Sequence, residues 1–213
     1  TTLSEALLYR AGRIRTLGRV DHGNTYLDTN AVERERGITI FSKQARFSFG
    51  ETDFILLDTP GHVDFSAETE RTLSLLDYAI LVISGADGVQ NHTRTLWQLL
   101  EFYGVPTFIF VNKTDIAIKL KDELEAELAS TLSPHCVAFY EGQTKHELDE
   151  KLALIHEDFL ENFLSGEPIE IADIAALISR RALFPCLFGS ALRMVGIEFL
   201  LDTLDKFTLS PVY

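Results

Sequence analysis

From Tyr78 onward the chain alternates short apolar runs with longer segments whose apolar residues recur every three or four positions. YAILVIS (78–84), PTFIFVN (106–112) and PCLFGS (185–190) are continuous apolar runs of strand length, which is how strands buried on both faces read. TERTLSLLD (69–77), NHTRTLWQLLEFYG (91–104), KLKDELEAELAS (119–130), residues 146–164, residues 170–181 and GIEFLLDTLDKF (196–207) carry helical periodicity, and Gly104 closes the second of them. Apolar strands alternating with amphipathic helices predict an α/β fold, a mostly parallel sheet covered on both faces.

The first third reads differently. TTLSEALLYRAG places Leu3, Ala6, Leu7 and Ala11 on one helical face, and nothing before Thr1 supplies a strand or turn. A polar stretch follows to about residue 36, long for a structureless loop and of the kind that is usually functional. ITIFSKQARFSF (38–49) alternates as a strand, and FILLD (54–58) follows so closely that the two predict an antiparallel hairpin. The strands beyond it are separated by helices, so ligands are expected at their carboxyl ends.

Those ends carry polar residues. FILLD runs into Asp58-Thr59-Pro60-Gly61. A carboxylate at a strand tip can support Mg²⁺ through water, and a glycine three residues on lets a backbone N–H approach a phosphate. An ordinary turn explains D-x-x-G about as well. PTFIFVN runs into Asn112-Lys113-Thr114-Asp115, where the carboxylate of Asp115 can accept from the N1–H and amino edge of guanine. The Asn112 amide can tie loops together, and the Lys113 stem can cover the ring; a polar helix start is the plain alternative. At Ser190, Ala191 and Leu192 a backbone N–H could meet guanine O6, a weak signal alone. Thr39 in RGITI could offer its hydroxyl to Mg²⁺, or simply open a strand. The order of the four, each at a strand end, makes coincidence a poor explanation.

Composition narrows the class. Of 213 residues 46% are hydrophobic, enough for a core, and the net charge of −13 argues against non-specific phosphate binding. No DNA partner and no membrane segment is expected. Cys136 and Cys186 lack metal-ligand spacing and fit reduced thiols in a cytoplasmic protein.

VERERGITI with LLDTPGHVDF, NKTD and GSAL resembles the G domain of the translational GTPases, and DTPGHVDFSAETERTLSLLDYAILVISGADGVQNHTRTL resembles the elongation-factor-G branch. Within it the chain is most similar to the tetracycline-resistance ribosomal protection proteins. The resemblance implies a P-loop NTPase-type fold that binds GTP and GDP with Mg²⁺ and hydrolyses GTP on the ribosome, at large-subunit RNA near the GTPase centre. It implies that Thr39 binds Mg²⁺ and senses the γ-phosphate, that Asp58 supports the ion, and that the Gly61 backbone meets the γ-phosphate. It implies too that His62 orients the attacking water, and that Asn112, Lys113 and Asp115, helped by Ser190, Ala191 and Leu192, hold guanine. Thr1 then occupies the last position of G-x-x-x-x-G-K-[ST], with its hydroxyl on Mg²⁺. On this reading residues 1–213 are one monomeric GTP-binding domain with a small helical insertion at about 116–182. Its P-loop and first strand precede Thr1, and a β-barrel and later domains follow the last residue. Two alternatives stay open: another elongation-factor-G-like factor, and a fragment that no longer binds nucleotide and acts only as a binding module.

Overall fold

In the computed structural model, residues 1–18, 25–27, 42–60 and 66–210 are described. Contacts divide the chain into two compact units, one of Thr1–Leu76 with Ser190–Asp205, the other of Asp77–Gly189 with the chain from Lys206 on.

The first unit opens with α1 (Thr2–Arg10). Leu3, Ala6, Leu7 and Leu8 are buried as the periodicity predicts, and so are Ser4 and Glu5 on the same helix. Residues 38–41 of the predicted strand lie outside the described residues; the described part is β1 (Lys43–Phe49). It pairs antiparallel with β2 (Thr52–Asp58), Phe49 opposite Thr52 and Lys43 opposite Asp58. The loop between them is Gly50–Glu51, a two-residue hairpin that needs a positive φ at its first position. Gly50 supplies it at φ 59°, and a Cβ there would stand 2.0 Å from the Asp205 carboxylate. Asp205 Oδ1 in turn accepts the Glu51 N–H at 3.1 Å, so the bare glycine lets the carboxylate cap the turn. α2 (Ser66–Leu73) follows; it is shorter than TERTLSLLD predicts, since the chain turns at Ser74–Leu76.

The second unit is a four-stranded parallel sheet in the order β3-β4-β6-β5. β3 (Ala79–Ser84), β4 (Thr107–Asn112) and β6 (Phe184–Phe188) fall on the three apolar runs. Phe108, Ile109, Phe110 and Val111 are all fully buried, so β4 is covered on both faces. Each of these four consecutive buried side chains contributes about 1.5–3 kcal/mol. α3 (Asn91–Phe102) makes the crossover from β3 to β4 and ends at Gly104, φ 66°.

Two features depart from the sequence reading. A short strand, β5 (Cys136–Ala138), sits at the sheet edge after α4 (Lys121–Thr131), inside the stretch expected to be helical. Three residues are too few to show a period. The helix predicted over 146–164 is two helices, α5 (Lys145–Ile155) and α6 (Glu157–Ser165). His156 lies between them in extended conformation (φ −131°, ψ 113°), and its ring stacks on His135 at 4.9 Å. The break lets the two helices fold against each other, with Leu152 and Phe159 both buried. α7 (Ile171–Ser179) then leads to β6, and α8 (Ile197–Phe207) closes the described chain.

Candidate nucleotide site

The functional side chains sit at element ends. Asp58 is the last residue of β2, and Thr1 stands at the N-cap of α1. An N-cap threonine ordinarily accepts from an N–H of the first turn. Thr1 instead turns its hydroxyl away from the helix and donates to Asp58 Oδ2 at 2.7 Å. Ser4, one turn on and on the same face, donates to Asp58 Oδ1 at 2.8 Å. The Thr1 main-chain nitrogen lies 3.3 Å from the same oxygen. Asp58 is 7% exposed, so its carboxyl group is buried and held by α1 through both oxygens.

A hydroxyl and one carboxylate as neighbouring hard oxygens suit Mg²⁺, which takes one or two protein ligands and completes its shell with phosphate and water. Among the described residues no cluster of three or more His, Cys, Asp or Glu offers an all-protein metal cage. The Thr1–Asp58 pair fits an ion shared with a phosphorylated ligand.

The turn after β2 is tied down by its own unit. Thr69 Oγ1 on α2 donates to Pro60 O at 2.9 Å, and Ser42 and Thr72 share a hydroxyl contact at 2.8 Å. Gly61, His62 and Thr39 lie outside the described residues.

In the second unit β4 delivers Asn112, Lys113 and Asp115 into a loop. Lys113 adopts φ 61°, a left-handed conformation rare for a side chain of its size and typical of strained functional loops. Asn112 Oδ1 accepts the Lys113 N–H at 2.9 Å, and Asn112 O accepts the Gly85 N–H at 2.7 Å. The link to the Gly85 loop is thus made by the Asn112 main chain, while its side-chain oxygen bonds within its own loop. Thr114 N–H donates to Gly189 O at 3.1 Å, which joins this loop to the end of β6, one residue before Ser190. Lys113 and Asp115 are exposed. Ser190 is buried and its N–H is committed to Val195 O at 3.0 Å, so any base contact in that segment falls to Ala191 or Leu192.

Sequence reasoning missed Ser4 and Glu5. Ser4 was legible from its position three residues after Thr1. Glu5 is fully buried on α1, and its Oε1 accepts the Leu27 N–H at 3.0 Å, anchoring residues 25–27 within the long polar stretch. No sequence signal separates this carboxylate from one on a helix surface; its Leu27 partner does.

Known proteins share this arrangement of sequence and fold. The model of the elongation factor Tu GTP binding domain matches residues 1–210. Tetracycline resistance protein TetM of Ureaplasma urealyticum is 39% identical over 97% of this chain and 34% of its own length. TetP of Clostridium perfringens is 40% identical over 95% of the chain and 34% of its length, and TetW of Butyrivibrio fibrisolvens 39% over the same shares. The chain thus spans about a third of the length of the relatives it matches. A crystal structure of a protein from Thermus thermophilus superposes with a TM-score of 0.85 at 27% identity, covering 99% of this chain and 38% of that one.

Proposed function

The chain belongs to the family of the elongation factor Tu GTP binding domain, and from that premise we propose that it is the catalytic domain of a ribosome-dependent GTPase, in a protein that protects ribosomes from tetracycline. The observation that carries the nucleotide reading is the 2.7 Å contact between Thr1 and Asp58. It brings the first residue of α1 and the aspartate of D-x-x-G together, where one ion on a nucleoside triphosphate requires them.

Each residue then has a task. Thr1 and Asp58 hold Mg²⁺ on the phosphates, and Ser4 keeps the carboxylate turned toward them. Held there, Mg²⁺ would supply positive charge to the phosphates. Thr39 and the Gly61 N–H sense the γ-phosphate. His62 orients the water that attacks phosphorus, so hydrolysis gives GDP and phosphate. Asp115 selects guanine through two hydrogen bonds that adenine cannot return. Asn112 keeps the loop in shape, Lys113 covers the ring, and the N–H groups of Ala191 and Leu192 meet the base edge. Most of the rate comes from positioning and charge neutralisation. A histidine in place of a stronger group leaves room for control by the ribosome. The resistance reading is supported by the names of the three relatives, at 39–40% identity.

Phosphate release by the whole protein, measured with Mg²⁺ and GTP in the presence and absence of ribosomes, tests the proposal. Stimulation by ribosomes is the expected result, together with raised tetracycline tolerance in cells expressing the protein. A stimulated GTPase without any change in tolerance would instead assign it to general translation. Absence of GTP turnover under both conditions would remove the enzymatic reading.

A further inference from the structure

A cleft lies wholly within the Asp77–Gly189 unit and the chain from Lys206, and none of its lining residues is assigned to GTP. Its volume is about 220 Å³. That exceeds the roughly 150 Å³ cavity known to admit benzene, so a molecule of amino-acid size has room. The start of α5, the start of α7 and the end of α8 meet around it, with Leu148, Ile169, Ile174 and Phe207 as apolar walls.

Two buried polar atoms have no hydrogen-bond partner there. One is Asp149 Oδ1, on a residue only 7% exposed, and the other is Gln143 Nε2. One is an acceptor and the other a donor, and an unmet buried polar group costs about 1–3 kcal/mol. The lining also carries Glu170, Lys145 and Lys206, so the cleft holds two carboxylates and two ammonium groups. A ligand of one sign would leave one pair unmatched. The α7 N-terminus at Ile171 opens on the same space and favours an anionic group.

We propose that this cleft binds a small zwitterion of the α-amino acid class, its ammonium donating to Asp149 and its carboxylate accepting from Gln143 and the rim lysines. The apolar walls take an aliphatic side chain. Burial pushes the Asp149 carboxyl above its ordinary value, against the opposing influence of Lys145, the Ile169 N–H and His146, and Glu170 adds to the rise. An incoming ammonium supplies the hydrogen-bond donor that Asp149 Oδ1 lacks. The inference is independent of the nucleotide reading.

Titration calorimetry and saturation-transfer NMR of the full chain with L-leucine test it, beside the two half-probes 3-methylbutylamine and 4-methylpentanoate. Leucine is expected to bind saturably at one site, with each half-probe about tenfold weaker or more. Asp149→Asn and Gln143→Leu should each lower leucine affinity by a similar factor, with the fold verified by circular dichroism. If Asp149→Asn does not fold, Lys206→Glu at the exposed rim reads the carboxylate arm separately and should weaken leucine and 4-methylpentanoate but not the amine. No saturable leucine binding would mean that ordered water alone satisfies the two atoms, and the proposal falls. Equal binding by the folded Asp149→Asn variant, or an amine that matches leucine, overturns it as well.

Discussion

The Thr1 hydroxyl donates to Asp58 Oδ2 at 2.7 Å across 57 residues of sequence. Ser4 holds the other oxygen at 2.8 Å, so one helical turn fixes the whole carboxylate. If this is where Mg²⁺ meets the protein, Asp58→Ala should weaken Mg²⁺-dependent GTP binding strongly. Ser4→Ala should do so more mildly, in the range of about 10–100-fold typical of a ligand-orienting partner. Magnesium titrations followed with a fluorescent GTP analogue separate the two. A Ser4→Ala protein with unaltered magnesium dependence would leave that hydroxyl a purely structural role.

The guanine assignment rests on Asp115. Asp115→Asn exchanges an acceptor for a donor, and xanthine offers an acceptor at C2 where guanine offers an amine. GTP affinity should fall roughly a hundredfold or more, since two hydrogen bonds to a charged group are lost, and XTP should become the better ligand. Competition between GTP and XTP against a fluorescent analogue reads this directly; an unchanged preference for GTP would remove Asp115 from the base site.

Much of this was legible because the chemistry sits at strand ends. Asp58 and Asn112 each follow an apolar run that can only be a strand, so their positions relative to a sheet follow from the pattern alone. The hairpin could be read in the same way from the short Gly50–Glu51 link. Two kinds of feature could not. β5 spans three residues and shows no period, and the break at His156 interrupts a pattern whose apolar spacing continues on both sides. Buried polar side chains such as Glu5 and Asp149 were also hidden, because a helix surface and a helix core carry the same carboxylate. Only the partner, Leu27 N–H for Glu5, identifies which it is.

His62 is the test of mechanism rather than of binding. His62→Ala should leave nucleotide affinity nearly unchanged while lowering ribosome-stimulated turnover by about 10²–10⁴-fold, the range for a positioned proton-transfer or water-orienting group. Single-turnover hydrolysis beside equilibrium GTP binding distinguishes the two effects. A loss of affinity equal to the loss of rate would mean that His62 binds substrate instead.

Asp149 bears on stability as well as on the cleft that it lines. Its carboxyl is raised, chiefly by burial. The folded chain therefore holds this proton more tightly than the unfolded one, and stability falls as pH rises from the unfolded value through the folded one. Asp149→Asn removes the ionisation. Its melting temperature should exceed that of the parent at neutral pH, and the difference should shrink as pH is lowered. Melting curves across the acid range check it; a variant less stable than the parent at neutral pH would show that the carboxylate is better paired than its burial implies.

Glu127 on α4 has the opposite sign. Burial alone would raise its carboxyl, but the Lys119 hydrogen bond, the Val89 N–H and the charges of Lys119 and Arg94 outweigh burial and hold it below the ordinary 4.5. Lys119 Nζ lies 2.8 Å from Oε2, and Val89 N–H donates to Oε1 at 3.1 Å. The carboxylate therefore straps the loop after β3 onto α4. Gly88 makes the approach possible, since at φ 71° a Cβ would stand 2.6 Å from Oε1. The unfolded chain binds this proton more tightly than the folded one. The contribution of Glu127 is thus complete above the unfolded value and fades as pH falls below it through the folded one. Glu127→Gln should destabilise at pH 7, converge with the parent in acid, and flatten the acid limb of the stability curve. Gly88→Ala should cost about 1–2 kcal/mol for the left-handed backbone at every pH, plus the displacement of Glu127, which fades in acid. Parallel denaturant titrations of the three proteins at neutral and acid pH decide it, and a Glu127→Gln deficit that persists undiminished in acid would show that the strap acts through packing rather than charge.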